Sequence, residues 1–194
     1  MSNVTLNPKY VPLFKGDTRY YIITGGRGSG KSFGVTLFLN NLTYEKDHKV
    51  LFTRYTMSSA HSSIIPEFVD KIDLMSAEND FRVTRDEIVN QITDSAIMFK
   101  GIKTASGNQT AALKSLANVS TFVVDEAEEL TEEDVFDKID LSVRTKKVQN
   151  RVILILNPTT KEHWIWKRFF DSRGVEGGFN GVIGDTTYIH TTYK

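Results

Sequence analysis

Apolar and polar positions along the 194-residue chain fall into two rhythms. Four short stretches are almost continuously apolar: Tyr20-Tyr21-Ile22-Ile23-Thr24, Lys49-Val50-Leu51-Phe52-Thr53-Arg54, Thr121-Phe122-Val123-Val124 and Arg151-Val152-Ile153-Leu154-Ile155-Leu156. Runs of that length suit strands buried on both faces. Residues 33–39 carry apolar side chains spaced for one helical face, and residues 58–71 read as a second helix through Ile64, Phe68 and Ile72. A strand, helix, strand order predicts an α/β fold with a mainly parallel central sheet flanked by helices.

The middle of the chain alternates instead. Arg82-Val83-Thr84, Ile88-Val89-Asn90-Gln91-Ile92 and Ala96-Ile97-Met98-Phe99-Lys100 predict a small antiparallel meander insertion. A polar loop over 101–107 and a short helix over 109–116 follow. Thr131 reads as the N-cap of an acidic helix start, so Glu128, Glu129, Glu132, Glu133 and Asp134 are expected on a solvated face matched to the helix dipole. Trp164, Ile165, Trp166, Phe169 and Phe170 predict an aromatic helix acting as core cover or lid, with Lys167 and Arg168 on it. After the glycine-rich loop 174–181, Val182-Ile183 and Thr187-Tyr188-Ile189-His190 suggest a last strand.

Composition narrows the class. At 40% hydrophobic residues the chain can bury a full core, and residues 1–194 are read as one domain. No apolar run approaches the roughly 20 residues that span a bilayer, and the start lacks a basic-then-apolar signal, so no membrane partner is expected. The chain has no cysteine, which excludes disulfides and thiolate metal sites. The histidines, His48, His61, His163 and His190, show no zinc-ligand spacing. Lys plus Arg and Asp plus Glu balance at 24 each, so any contact with nucleic acid has to come from a local patch. Lys103, Asn108 and Lys114 are candidates for phosphate-backbone contact, against the plainer reading of solvated loop residues.

The strongest chemical signal sits between the first apolar run and the first helix. Gly25-Gly26-Arg27-Gly28-Ser29-Gly30-Lys31-Ser32 fits a phosphate-binding loop. Its glycines let backbone N–H groups face a phosphate at close range, and the helix N-terminus adds partial positive charge. Lys31 is expected on the terminal phosphates and the Ser32 hydroxyl on Mg²⁺. The third run ends in Asp125-Glu126. Asp125 is expected to hold the Mg²⁺ water shell opposite Ser32, and Glu126 to orient and deprotonate the attacking water. Asn157, at the end of the fourth run, either senses the γ-phosphate or caps the turn that Pro158 imposes.

ATP is the expected nucleotide, since Asn157-Pro158-Thr159-Thr160 is not the guanine-reading Asn-Lys-x-Asp. No glutamine precedes the loop. Tyr10 or Arg19 would have to meet the adenine, unless the lead-in from Asn7 to Phe14 simply packs on the sheet edge.

These residues together resemble the large terminase subunit of tailed bacteriophages, the ATPase that packages viral DNA into a preformed capsid. The resemblance is carried by the arginine-containing phosphate loop, Phe99-Lys100-Gly101-Ile102-Lys103, Asp125-Glu126-Ala127-Glu128-Glu129-Leu130, Leu156-Asn157-Pro158 and Ile189-His190-Thr191-Thr192-Tyr193. It implies an additional-strand P-loop NTPase with a catalytic Glu, forming a homo-oligomeric ring on a portal protein, fed by a small terminase subunit and translocating double-stranded DNA. It also implies the host cytoplasm, with transient docking on the procapsid. A metal-dependent nuclease domain usual in that family is expected to be absent from these 194 residues.

Phosphoryl transfer also asks for an arginine. Arg27 is near the nucleotide by its place in the loop and resembles the loop arginine of large terminases, while Arg144 resembles an arginine presented across the ring to the adjacent subunit. Arg54, Arg82 and Arg151 are weaker, each explicable as an exposed or strand-end charge. Two functions stay open: a DNA translocase driven by ATP hydrolysis, and an ATP-dependent switch that changes partners without moving DNA.

Overall fold

The computed structural model describes residues 6–57, 60–104, 107–108, 113 and 116–192, with only the backbone of 60–62, 104 and 107–108. The contacts expected of Asn108 and Lys114, most of the helix over 109–116, and Tyr193 lie outside the described atoms.

The four apolar runs form β1 (Tyr20–Gly25), β2 (Lys49–Arg54), β8 (Thr121–Val124) and β9 (Arg151–Leu156). They lie side by side with β11 (Thr186–Thr191) and β5 (Ala96–Gly101) as six parallel strands in the order β11-β1-β9-β8-β2-β5. The strand β9 therefore intervenes between β1, which delivers the glycine-rich loop, and β8, which delivers the acidic pair. That is the additional-strand arrangement.

The alternating middle segment does form an antiparallel meander, of β3 (Phe81–Val83), β4 (Glu87–Asn90) and β5. Because β5 also pairs in parallel with β2, the meander continues the central sheet instead of standing apart from it. At the other end β10 (Gly181–Ile183) adds antiparallel to β11. A separate two-stranded ribbon pairs β6 (Lys103–Thr104) with β7 (Gly107–Asn108).

Alternation along each strand sorts side chains between two layers. Tyr21, Ile23, Phe52, Val123 and Ile153 face a layer containing α2 (Lys31–Leu42) and α3 (Ala60–Leu74). Ile22, Leu51, Phe122, Val124 and Leu154 face α4 (Glu133–Asp140) and α5 (Trp164–Phe169). With both faces covered, every residue of β9 is buried, which is why its sequence shows no polar alternation.

Two local expectations change. The helix α2 is buried along most of its length and not on one face alone, because the lead-in helix α1 (Val11–Lys15) and α3 cover what the sheet leaves open. Thr131 does not cap α4. The cap position is Glu132, without a side-chain cap bond, and the Thr131 hydroxyl donates to the Glu132 carboxylate instead. The aromatic helix α5 is core cover: Trp164, Ile165 and Phe169 are buried, and Trp164 Nε1 donates to Leu130 O at 2.6 Å. Among the described residues, no helix is long and apolar enough to cross a membrane.

Candidate active site

Parallel strands present all their carboxyl ends at one edge, and a crevice beyond such an edge is where ligands bind in α/β sheets. Register decides which residues meet there. Thr24 pairs with Leu156 on one side and His190 on the other, so Gly25 is followed across the edge by Asn157 and Thr191. Thr53 pairs with Val124, which brings Arg54 beside Asp125.

The glycine-rich turn is held by sterics and by β11. A Cβ on Gly25 would meet Thr191 O at 2.4 Å, and Gly28 (φ 73°) and Gly30 (φ 82°) are left-handed. Gly26 has open space around it and is exposed, so crowding does not require a glycine there. Ser29 Oγ turns away to Thr191 Oγ1, 2.9 Å apart, tying the loop to the last strand. Gly30 leads into α2, whose first residue is Lys31.

The resulting cleft, about 240 Å³, is lined by Arg27, Gly28, Lys31, Ser32, Arg54, Asp125, Glu126, Glu128, Ile155 and Asn157. The Lys31 ammonium donates to Gly25 O (2.6 Å), Gly26 O (2.9 Å) and Asn157 Oδ1 (3.1 Å), using its three donors. Burial lowers its pKa, while Glu128 and Asp125 act in the opposite sense. Arg27 is exposed at the rim and makes no hydrogen bond or ion pair among the described residues.

Asp125 is buried, and Arg54 reaches one of its oxygens, Oδ2, from both Nε (2.8 Å) and Nη2 (2.6 Å). Burial disfavours the Arg54 charge, but Asp125 and Glu126 outweigh it and the guanidinium pKa is raised. Glu126 is a non-glycine residue in the left-handed region (φ 53°, ψ 46°), a conformation that collects at functional sites. Burial raises its carboxyl pKa, Arg54 opposes that, and Asp125, Glu129 and Glu128 add to it. From Glu126 the chain enters a 3-10 turn, Ala127–Glu129, anchored by the fully buried Ala127.

That turn also carries a functional residue whose local sequence points to solvent. Glu128 is half-buried in the cleft, not on a solvated face, and takes bonds from Asn157 N (3.2 Å) and Nδ2 (2.5 Å). Arg54, set aside as a strand-end charge, is the second such residue. Its only sequence signal was its place at the carboxyl end of an apolar run, shared with Asp125.

The residues named from the sequence separate into three groups. Arg27, Gly28, Lys31, Ser32, Asp125, Glu126 and Asn157 line one cleft, and Gly25, Gly26, Ser29 and Gly30 shape or flank it. Arg144 stands apart. It is exposed between α4 and β9, where Arg19 Nη1 donates to the neighbouring Val143 O at 2.9 Å and Gln149 Nε2 to Thr18 O at 3.2 Å. Those contacts put it at the amino edge of the sheet, one strand length from the loop: six residues of β1, or about 20 Å. Neither adenine candidate faces the cleft. Tyr10 is buried against Gly34 of α2, and Arg19 is tied to Asp140 at the amino edge.

The donor set fits Mg²⁺. Ser32 Oγ accepts and donates no bond among the described residues, and Asp125 keeps Oδ1 clear of Arg54. A hydroxyl and one carboxylate, both hard oxygen ligands, are the modest protein share that this ion takes beside phosphate and water.

No curated protein matches the sequence. Among solved structures the chain is similar to the large terminase from a thermophilic bacteriophage, with TM-score 0.75 and 13% identity over 97% of this chain and 46% of that one. The same terminase in complex with ATP-gamma-S gives TM-score 0.68 at 12% identity, over 95% and 44%. The Thermus phage P74-26 large terminase ATPase domain gives 0.68 at 16%, over 96% and 80%. At such identities the likeness establishes the fold, that of a P-loop NTPase, and the chain spans somewhat under half the length of the thermophilic phage terminase it matches. The model of the phage terminase large subunit family matches residues 17–194, and the chain belongs to that family.

Proposed function

We propose that this chain hydrolyses ATP in a Mg²⁺-dependent reaction and thereby drives double-stranded DNA into a procapsid. One observation carries the reading: β9 inserts between β1 and β8 so that Lys31, Glu126 and Asn157 line a single cleft at the carboxyl edge.

The loop amides and Lys31 bind the triphosphate, with Lys31 exchanging its carbonyl partners for phosphate oxygens. Ser32 and Asp125 would hold Mg²⁺, which when bound would supply charge neutralisation to the phosphates. Glu126 orients the attacking water and takes its proton. Burial raises its pKa, which makes the ionised carboxylate a better base. Arg27, exposed at the rim without a partner of its own among the described residues, is free to turn onto the phosphates of its own subunit. Arg144, a strand length away from its own cleft, serves the neighbour's cleft in a ring.

The ring sits on a portal protein, receives DNA from a small terminase subunit, and works in the host cytoplasm while docked on the procapsid. Steady-state ATPase of the chain, alone and with duplex DNA and portal, tests the reading. Turnover that rises with track and portal is expected. Tight ATP binding without turnover in any mixture would favour the switch function instead.

A further inference from the structure

Asn157 is squeezed between opposite charges, and its amide cannot face either way at equal cost. A carboxylate only accepts hydrogen bonds and an ammonium only donates them. Glu128 takes both Asn157 donors, Nδ2 on Oε1 at 2.5 Å and the backbone N on Oε2 at 3.2 Å, while Asn157 Oδ1 receives Lys31 Nζ at 3.1 Å. Reversing the amide would set its oxygen against the carboxylate and its NH₂ against the ammonium. The orientation therefore follows from charge on both sides.

We propose that Glu128 is a positioning residue that acts through Asn157: by occupying both donors it turns the amide oxygen into the cleft and fixes the Lys31 ammonium at the floor of the phosphate loop. The device depends on backbone shape. The left-handed Glu126 and the turn Ala127–Glu129 bring Glu128 back over the tip of β9, where an ordinary helical start would have sent it into solvent. The arrangement also sets what Asn157 offers a nucleotide. While Glu128 holds one Nδ2 hydrogen, Asn157 presents its oxygen to Lys31, and only the second Nδ2 hydrogen is left for a γ-phosphate oxygen.

The proposal deepens the ATPase reading, so its test has one arm that depends on that reading and one that does not. The independent arm follows the Asn157 side-chain NH₂ pair in ¹⁵N–¹H spectra, identified by its loss in Asn157→Ala. The Nδ2 proton held by the Glu128 carboxylate should resonate downfield of a solvated side-chain amide, and should lose that displacement in Glu128→Gln. A pair at solvated-amide shifts in the parent, unchanged by the substitution, overturns the proposal, even in a protein that hydrolyses nothing.

The kinetic arm is a double-mutant cycle on kcat. Glu128→Gln and Asn157→Ala should each lower kcat by about tenfold, and the double variant should be no slower than Asn157→Ala, because the two act as one unit. Losses that multiply would mean that Glu128 acts apart from Asn157 and would also overturn it. Absent turnover in the parent chain would count against the ATPase reading alone.

Discussion

Arg54 and Asp125 end adjacent parallel strands, and the guanidinium grips a single carboxylate oxygen with two nitrogens, at 2.8 and 2.6 Å. Asp125 is thereby a buried carboxylate held by its neighbour through one oxygen, and the other oxygen is the one that the proposed Mg²⁺ role would use. Removing the arginine leaves the acid buried without a cation. Arg54→Ala should cost roughly 1–3 kcal/mol, read as a lower urea midpoint. Arg54→Lys, which keeps the charge but loses the fork, should fall between. An unchanged midpoint in Arg54→Ala would mean that water replaces the guanidinium without loss.

The same arginine restrains Glu126, whose pKa burial raises. A raised folded-state pKa means that the folded protein binds the proton more tightly than the unfolded chain, so ionising Glu126 works against folding as pH rises through that pKa. Glu126→Gln should therefore melt higher than the parent near neutral pH, and the difference should close once the pH falls below the ordinary glutamate range. Activity moves the other way. Hydrolysis needs the ionised carboxylate, so kcat/KM should fall on an acid limb whose midpoint lies above the usual glutamate value. A limb at or below that value would separate the group it reports from Glu126.

Binding and chemistry should part between two substitutions. Lys31→Ala removes an ammonium held by three acceptors and should abolish productive ATP binding. Glu126→Gln should retain ATP and lose turnover by roughly 100-fold or more. Equilibrium binding of a fluorescent ATP analogue beside steady-state hydrolysis checks both, and parental turnover in Glu126→Gln would end its assignment as base.

Much of this site was written in runs that the chain carries locally. The loop is one contiguous octapeptide, and Asp125-Glu126 announces itself at the end of an apolar strand. What was not legible depended on register. Arg54 meets an acid 71 residues away and Glu128 meets an amide 29 residues away, and each looks like a surface charge until the sheet order sets β2 beside β8 and β8 beside β9. The acidic cluster misled for a further reason. A helix start with acids in its first turn is a sound expectation, but the left-handed backbone at Glu126 inserts a 3-10 turn first. Burial of α2 was hidden too, because the Tyr10 ring that covers Gly34 arrives from the 3-10 turn Pro8–Tyr10 that leads into α1.

That last contact is testable by itself. A Cβ on Gly34 would lie 2.5 Å from Tyr10 Cε1, too close for either to stay in place. Gly34→Ala should destabilise by about 1–3 kcal/mol through overpacking, and Tyr10→Ala in the same chain should recover part of that loss. Denaturant midpoints for the four proteins of the cycle give the answer. Strict additivity would show that the strain is relieved somewhere other than at Tyr10.

The position of Arg144 makes the strongest demand on assembly. It is exposed at the amino edge of its own sheet, about 20 Å of strand from the loop it would have to serve, so within one subunit it cannot reach the transferring phosphoryl group. An arginine that stabilises the charge of phosphoryl transfer can come from a neighbour. If Arg144 does so, hydrolysis per subunit should rise with protein concentration or on assembly at a portal, and Arg144→Ala should abolish that rise without weakening nucleotide binding. Mixing decides the matter. Arg144→Ala protein has an intact cleft and Glu126→Gln protein has an intact arginine, so a mixed ring contains interfaces at which both are present. Activity should return in the mixture, although each protein alone is inactive. If no mixture recovers, and Arg27→Ala subunits stay inactive whatever their neighbours, the arginine acts within the subunit and Arg27, at the rim of the cleft, takes the role.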